Sequence, residues 1–163
     1  QIQTVIDANL MPLLIELLYM GDYRTQREVS HVLLNMSVIG SKEQLLYMLN
    51  VDKKIINMDV IDAMASLLTA PDPEVLITCI NFYNNVLVFG KRANLLKEMT
   101  NRCEKCSMLF HFESLMNHNN PNIALFATHI LDEYFSSDTS FEEDMTCDTS
   151  LLEDKPVDPI FSF

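Results

Sequence analysis

The sequence predicts an all-α solenoid, a superhelix of stacked helical repeats, and three observations predict it. Only 3 of the 163 residues are Gly and Trp is absent. Leu, Met and Ile abound instead, which favours helices over strands. The chain also repeats itself: NLMPLLIELLYMGDYRTQREVSHVLLNMSVIG (9–40) aligns without a gap on DVIDAMASLLTAPDPEVLITCINFYNNVLVFG (59–90), an offset of 50. A third copy, SLMNHNNPNIALFATHILDEYF (114–135), lies on SLLTAPDPEVLITCINFYNNVL (66–87), an offset of 48. One such unit cannot bury its own apolar face, so neighbouring units must stack.

The elements follow from matching punctuation. Asp22, Asp72 and Asn120 stand where a helix N-cap would accept from free backbone N–H groups. Pro73 and Pro121 take the first helical position, where no N–H is needed. Gly40 and Gly90 are expected to end the first two long helices. Each unit then holds two shorter helices and a longer third. In the first copy these are Gln1–Asp7, Met11–Tyr19 and Tyr23–Val38. In the second they are Lys42–Leu49, Val60–Leu68 and Pro73–Val88, with Ser41 and Gln44 as a capping box. In the third they are Ala93–Arg102, Leu109–Asn117 and Pro121–Phe135. Three helices per unit suit an armadillo-type α-solenoid (an alpha-alpha superhelix). The expected division is three repeats at about 1–40, 41–90 and 91–135, with a loop insertion at Asp52–Met58 and an acidic disordered tail at 136–163.

Charge narrows the partners. The formal net charge is −12. Residues 1–135 carry 15 acidic and 10 basic side chains, and residues 136–163 carry 8 acidic and one basic, Lys155. Such a chain repels phosphate, which argues against nucleic acid and for basic peptides or surfaces. Four cysteines are too few for a disulfide framework and fit a reducing compartment, cytosol or nucleus. No apolar run reaches the roughly 18 residues that a membrane helix needs, so no membrane role is expected. The chain opens on Gln1, already inside a helical pattern, and reads as a piece of something longer.

The third helices should line the concave face. On Tyr23–Val38, Arg24, Glu28, His31 and Asn35 share one stripe, while Val29, Val32, Leu33 and Met36 occupy the core arc. The matching stripe carries Thr78, Asn81 and Asn85 in the second copy and Phe126, His129 and Glu133 in the third. An Asn side chain offers both donor and acceptor, so a row of them can hold the backbone of an extended peptide. Glu28 would attract its Lys or Arg. The plainer alternative is a row of ordinary solvated positions.

At these residues the sequence resembles importin-α, the adapter that carries nuclear localisation signals. QIQTVIDANLMPLLIELL is similar to the start of the family's eighth armadillo repeat, and QREVSHVLLNMSVIG follows its Glu, Trp, Asn pattern. SKEQLLYML and LLTAPDPEVL resemble the ninth repeat, HFESLMNH and ILDEYF the tenth, and the acidic tail closing in Phe-Ser-Phe the family's C-terminus. The resemblance implies a nuclear import adapter found in cytoplasm and nucleus. It implies cargo-peptide binding by Glu28, His31 and Asn35, with Asn81 and Asn85 on the same stripe. It departs from the family at His31, which replaces a Trp that walls the cargo Lys stem. The site is therefore expected to be weakened at this repeat. Importin-beta would bind a segment outside this chain. An export receptor and a nucleoporin would dock on the last repeats, with Pro121–Phe135 and Glu142–Asp144 as regional candidates. The alternative is an armadillo scaffold unrelated to nuclear transport.

No enzyme or cofactor is expected. Cys103 and Cys106 have the CxxC spacing, but no second pair follows, and His111 and His118 are not at a zinc-finger spacing. No nucleophile motif or phosphate loop is present. The carboxylates Glu142, Glu143 and Asp144 lie in the tail, which cannot hold catalytic geometry.

Overall fold

The computed structural model describes residues 1–51 and 58–136. Among them are nine α-helices and no strand. They are α1 (Ile2–Asp7), α2 (Met11–Met20), α3 (Tyr23–Ile39), α4 (Lys42–Leu49), α5 (Val60–Ala65), α6 (Pro73–Arg92), α7 (Leu96–Lys105), α8 (Met108–Leu115) and α9 (Pro121–Phe135). Short, short and long helices recur in that order. The fold class is all-α, as the composition requires. Residues 137–163 of the expected acidic tail and residues 52–57 of the expected loop lie outside the described residues.

Local chemistry sets the helix starts. Asp22 accepts from the Thr25 N–H at 2.8 Å, Asp72 from Glu74 at 2.9 Å and Asn120 from Asn122 at 3.0 Å. Each closes one of the donors that a helix N-terminus leaves open. Ser41 and Gln44 form the reciprocal capping box at α4.

The helix ends differ from expectation. Gly40 is extended (φ −71, ψ 144) and not left-handed. Gly90 sits inside α6, which runs two residues further, to Arg92. A Cβ there would stand 2.9 Å from Met99 Cγ and 3.2 Å from Leu96 Cα, so Gly90 lets α7 approach α6. The left-handed stop is Asn94 (φ 57), with the Leu95 N–H donating back to the Gly90 carbonyl at 2.7 Å. Asn9 (φ 50) ends α1 in the same way, with Leu10 donating to Val5 at 3.0 Å. Both are Schellman-type ends in which Asn tolerates the conformation usually left to Gly. The expected helix Val60–Leu68 is also shorter: α5 tightens into a 3₁₀ turn at Ser66–Thr69.

The long helices pack side by side, α3 on α6 and α6 on α9, with the short helices stacked behind them. Tyr83 of α6 anchors that stack. Its ring meets Phe82 and Phe112 edge-on at 5.8 and 5.6 Å, and its hydroxyl donates to the Ile61 carbonyl of α5 at 2.8 Å. Leu33, Val29 and Met36 are buried as expected, but Val32 is 40% exposed.

Candidate functional site

The stripe residues divide according to which side of their helix meets a neighbour. Glu28 and Asn35 are exposed on α3, and Asn81 is half-buried on α6. Among the described residues no hydrogen bond engages these three side chains. Their donors and acceptors remain free for a ligand, and Asn81 alone offers both from a partly sheltered position.

The other two named residues are tied into the α3–α6 seam. His31 Nδ1 lies 3.4 Å from Thr78 Oγ1. Thr78 gives its single hydroxyl proton to the Glu74 carbonyl at 2.9 Å, so His31 Nδ1–H is assigned as the donor. Asn85 is 2% exposed, and its Nδ2 donates to Ser37 Oγ at 3.0 Å. Asn85 therefore departs from the expected groove position: it joins two helices and has no face left for a peptide. The angular reason is that α6 meets α3 on one side and α9 on the other, which narrows its open arc. Phe126 of α9 is likewise buried rather than on an open stripe.

Charges bridge the seams near the surface. Arg27 of α3 pairs with Glu74 of α6 at 2.7 Å, and Lys91 of α6 pairs with Glu133 of α9 at 3.5 Å. Glu133 also lies 3.3 Å from His129 Nε2. Sequence reasoning passed over Asn84, which is 3% exposed with an Oδ1 that accepts no hydrogen bond among the described residues. An Asn-Asn pair in mid-helix was the available signal, since Asn is poor in helix interiors.

The CxxC pair is built for packing. Cys103 is buried and its thiol is pushed up by desolvation. Cys106 is half-buried, its thiol is raised for the same reason, and its Sγ lies 3.1 Å from the Cys103 carbonyl. Among the described residues no group of three or more His, Cys, Asp or Glu side chains is placed to hold a metal.

Residues 1–38 match the armadillo/beta-catenin-like repeat family. Over 131 residues the chain is 28% identical to importin subunit alpha-8 of Mus musculus, covering 80% of this chain and 25% of that protein. Over 86 residues it is 30% identical to importin subunit alpha-3 of Caenorhabditis elegans, covering 53% of this chain and 16% of that protein. The chain thus resembles importin alpha subunits at low identity, and its first 38 residues match an armadillo repeat. It spans a quarter or less of the length of these relatives. An armadillo solenoid fits the nine helices, and the matched families are not enzyme families.

Proposed function

We propose that this chain is a segment of a nuclear import adapter that binds the basic localisation signals of cargo proteins. The observation that carries the proposal is that Glu28 and Asn35 on α3 and Asn81 on α6 keep their hydrogen-bonding groups free, while His31 meets Thr78 where the two helices pack. Asn81 would clamp the peptide backbone and Glu28 would take a Lys or Arg side chain. His31 offers less wall than the family's Trp, so binding is weak. The repeats are taken at about 1–40, 41–90 and 91–135. An export receptor and a nucleoporin would dock toward α9, importin-beta would bind elsewhere in the adapter, and the protein would shuttle between cytoplasm and nucleus.

The test is fluorescence anisotropy with a Lys/Arg-rich bipartite peptide and a Ser-substituted control. Binding of the basic peptide, reduced about 5–10-fold by Asn81→Ala as one or two hydrogen bonds are lost, supports the reading. Equal, negligible binding of both peptides sinks it.

A second reading, a scaffold unrelated to nuclear transport, is favoured by the burial of Asn85 and the tie between His31 and Thr78. It expects Asn81→Ala to leave basic-peptide binding unchanged.

A further inference from the structure

We infer that the basic corner where α6 turns into α7, formed by Arg92 and Lys97 beside Lys91, is a docking surface for the acidic run Glu142–Asp144 of the chain's own tail. Basic charge in the body is concentrated at this corner. Residues 1–135 carry 10 basic side chains, and five of them fall within 91–105: Lys91, Arg92, Lys97, Arg102 and Lys105. Arg102 is committed to Asp59 at 3.1 Å, and Glu98 is turned toward it at 4.0 Å. Arg92 and Lys97 are exposed, and among the described residues no ion pair or hydrogen bond engages their side chains.

The tail leaves the body beside this corner. α6 and α9 pack side by side, and Lys91 Nζ in the last turn of α6 lies 3.5 Å from Glu133 Oε1 of α9. Glu133 stands three residues before Ser136, where the tail begins. The C-terminal ends of the two helices are therefore neighbours, but their charges differ. α6 ends on Lys91 and Arg92, which suit the partial negative charge of a helix C-terminus. α9 has no basic residue in its last turn and carries Asp132 and Glu133 there. Carboxylates that follow Ser136 are thus repelled by the end of α9 and attracted to the end of α6.

Residues 138–144 read DTSFEED, with four acids and no base. They lie outside the described residues, and their sequence alone gives their charge. Glu142 follows Ser136 by six residues, which span at most ~20 Å of chain. That is enough to pass from the end of α9 to a packed neighbour, whose axis lies about 8–10 Å away. The tether makes the contact intramolecular, so exposed ion pairs that are weak singly can hold the run. A basic partner of the tail must then compete with Arg92 and Lys97.

The experiment places a nitroxide on Cys147, three residues past the run, in the 163-residue chain. Cys106→Ser confines the label to Cys147 and keeps a donor to the Cys103 carbonyl. At about 0.01 M salt, where the Debye length is ~30 Å, the amide NMR signals of residues 91–97 should lose intensity, and at about 1 M salt, where it is ~3 Å, they should recover. Arg92→Glu with Lys97→Glu should abolish the loss at low salt. Glu142→Lys, Glu143→Lys and Asp144→Lys together should abolish it as well, with the folded body untouched. Combining both sets exchanges the charges and should restore it. The docking is overturned by full intensity at low salt, by a loss that neither salt nor charge reversal changes, or by failure of the combined set to restore it. A loss centred on Phe110 and Leu125 also overturns it, because the tail would then lie on the apolar side of α8 and α9. So does a loss that appears only between labelled and unlabelled chains in a mixture, because the occupant would then be a second copy.

Discussion

Asn85 Nδ2 donates to Ser37 Oγ at 3.0 Å across 48 residues, and both side chains are buried where α6 meets α3. Ser37 passes its own proton to the Leu34 carbonyl at 2.7 Å, so the amide, the hydroxyl and the α3 backbone form one chain of bonds. Asn85→Ala strands the Ser37 acceptor in an apolar seam and should destabilise the fold by ~1–3 kcal/mol. Ser37→Ala strands the amide and should cost a similar amount. Because the two share one bond, the double variant should cost less than the sum of the singles. Urea unfolding of the four proteins checks this, and additive losses would refute the coupling.

Gly90 offers the second prediction. Ala is the better helix former by ~1 kcal/mol, so helix propensity alone favours Gly90→Ala. The added Cβ would instead press on Leu96 Cα at 3.2 Å and Met99 Cγ at 2.9 Å. Met99 can swing aside, but the α7 backbone cannot move without parting from α6. Overpacking of this kind costs ~1–3 kcal/mol, so the net effect is destabilising. A melting temperature equal to or above that of the unchanged protein would contradict the close-approach role.

The same glycine shows what was legible in the sequence. Caps are local chemistry, and Asp22, Asp72, Asn120 and the Ser41–Gln44 box all form as their spacing indicates. The bounds of α4 and α9 follow directly. A helix end is less local: Gly90 resembles a stop but serves packing, while Asn94 carries the left-handed turn. The stripe was legible as a polar face but not as two surfaces. Helical angle alone separates Asn81 from Asn85 by too little to tell a solvent-facing amide from one turned into a neighbour. Periodicity places Val32 in the core arc, and the structure leaves it 40% exposed.

Arg102 carries the third prediction. Its guanidinium lies 3.1 Å from Asp59 Oδ2 and donates to the Leu49 carbonyl at 2.5 Å. Asp59 is 5% exposed and uses its other oxygen to cap α5 through the Asp62 N–H at 2.9 Å. One arginine thus ties α7 to the end of α4 and the start of α5. Arg102→Met keeps the stem but removes one of the groups that hold the buried Asp59 carboxylate and the Leu49 carbonyl. The expected loss exceeds the ~0–1 kcal/mol of an exposed pair such as Arg27 with Glu74. Chemical unfolding of Arg102→Met beside Arg27→Met checks the order, and equal losses would show that burial of Asp59 does not matter.

Burial of the thiols gives an alkaline signature. Desolvation raises Cys79 and Cys103 far above the ordinary thiol range, raises Cys106 by less, and pushes Tyr134 up to about 12. A raised pKa in the folded state means that the neutral form is favoured there. Stability from these groups is therefore intact below the unfolded thiol value, about pH 8.5, and is lost as pH climbs from there toward the folded values. Unfolding should become easier between about pH 9 and 11, and Cys79→Ala with Cys103→Ala should flatten that slope. At neutral pH the thiolate, the form that alkylates and binds zinc, is scarce at all three positions. Peptide mapping after iodoacetamide should find Cys79 and Cys103 unmodified until denaturant is added, and Cys106 modified slowly. Fast modification of Cys103 in the native protein would mean that the CxxC pair is open to solvent, and would reinstate it as a site for chemistry.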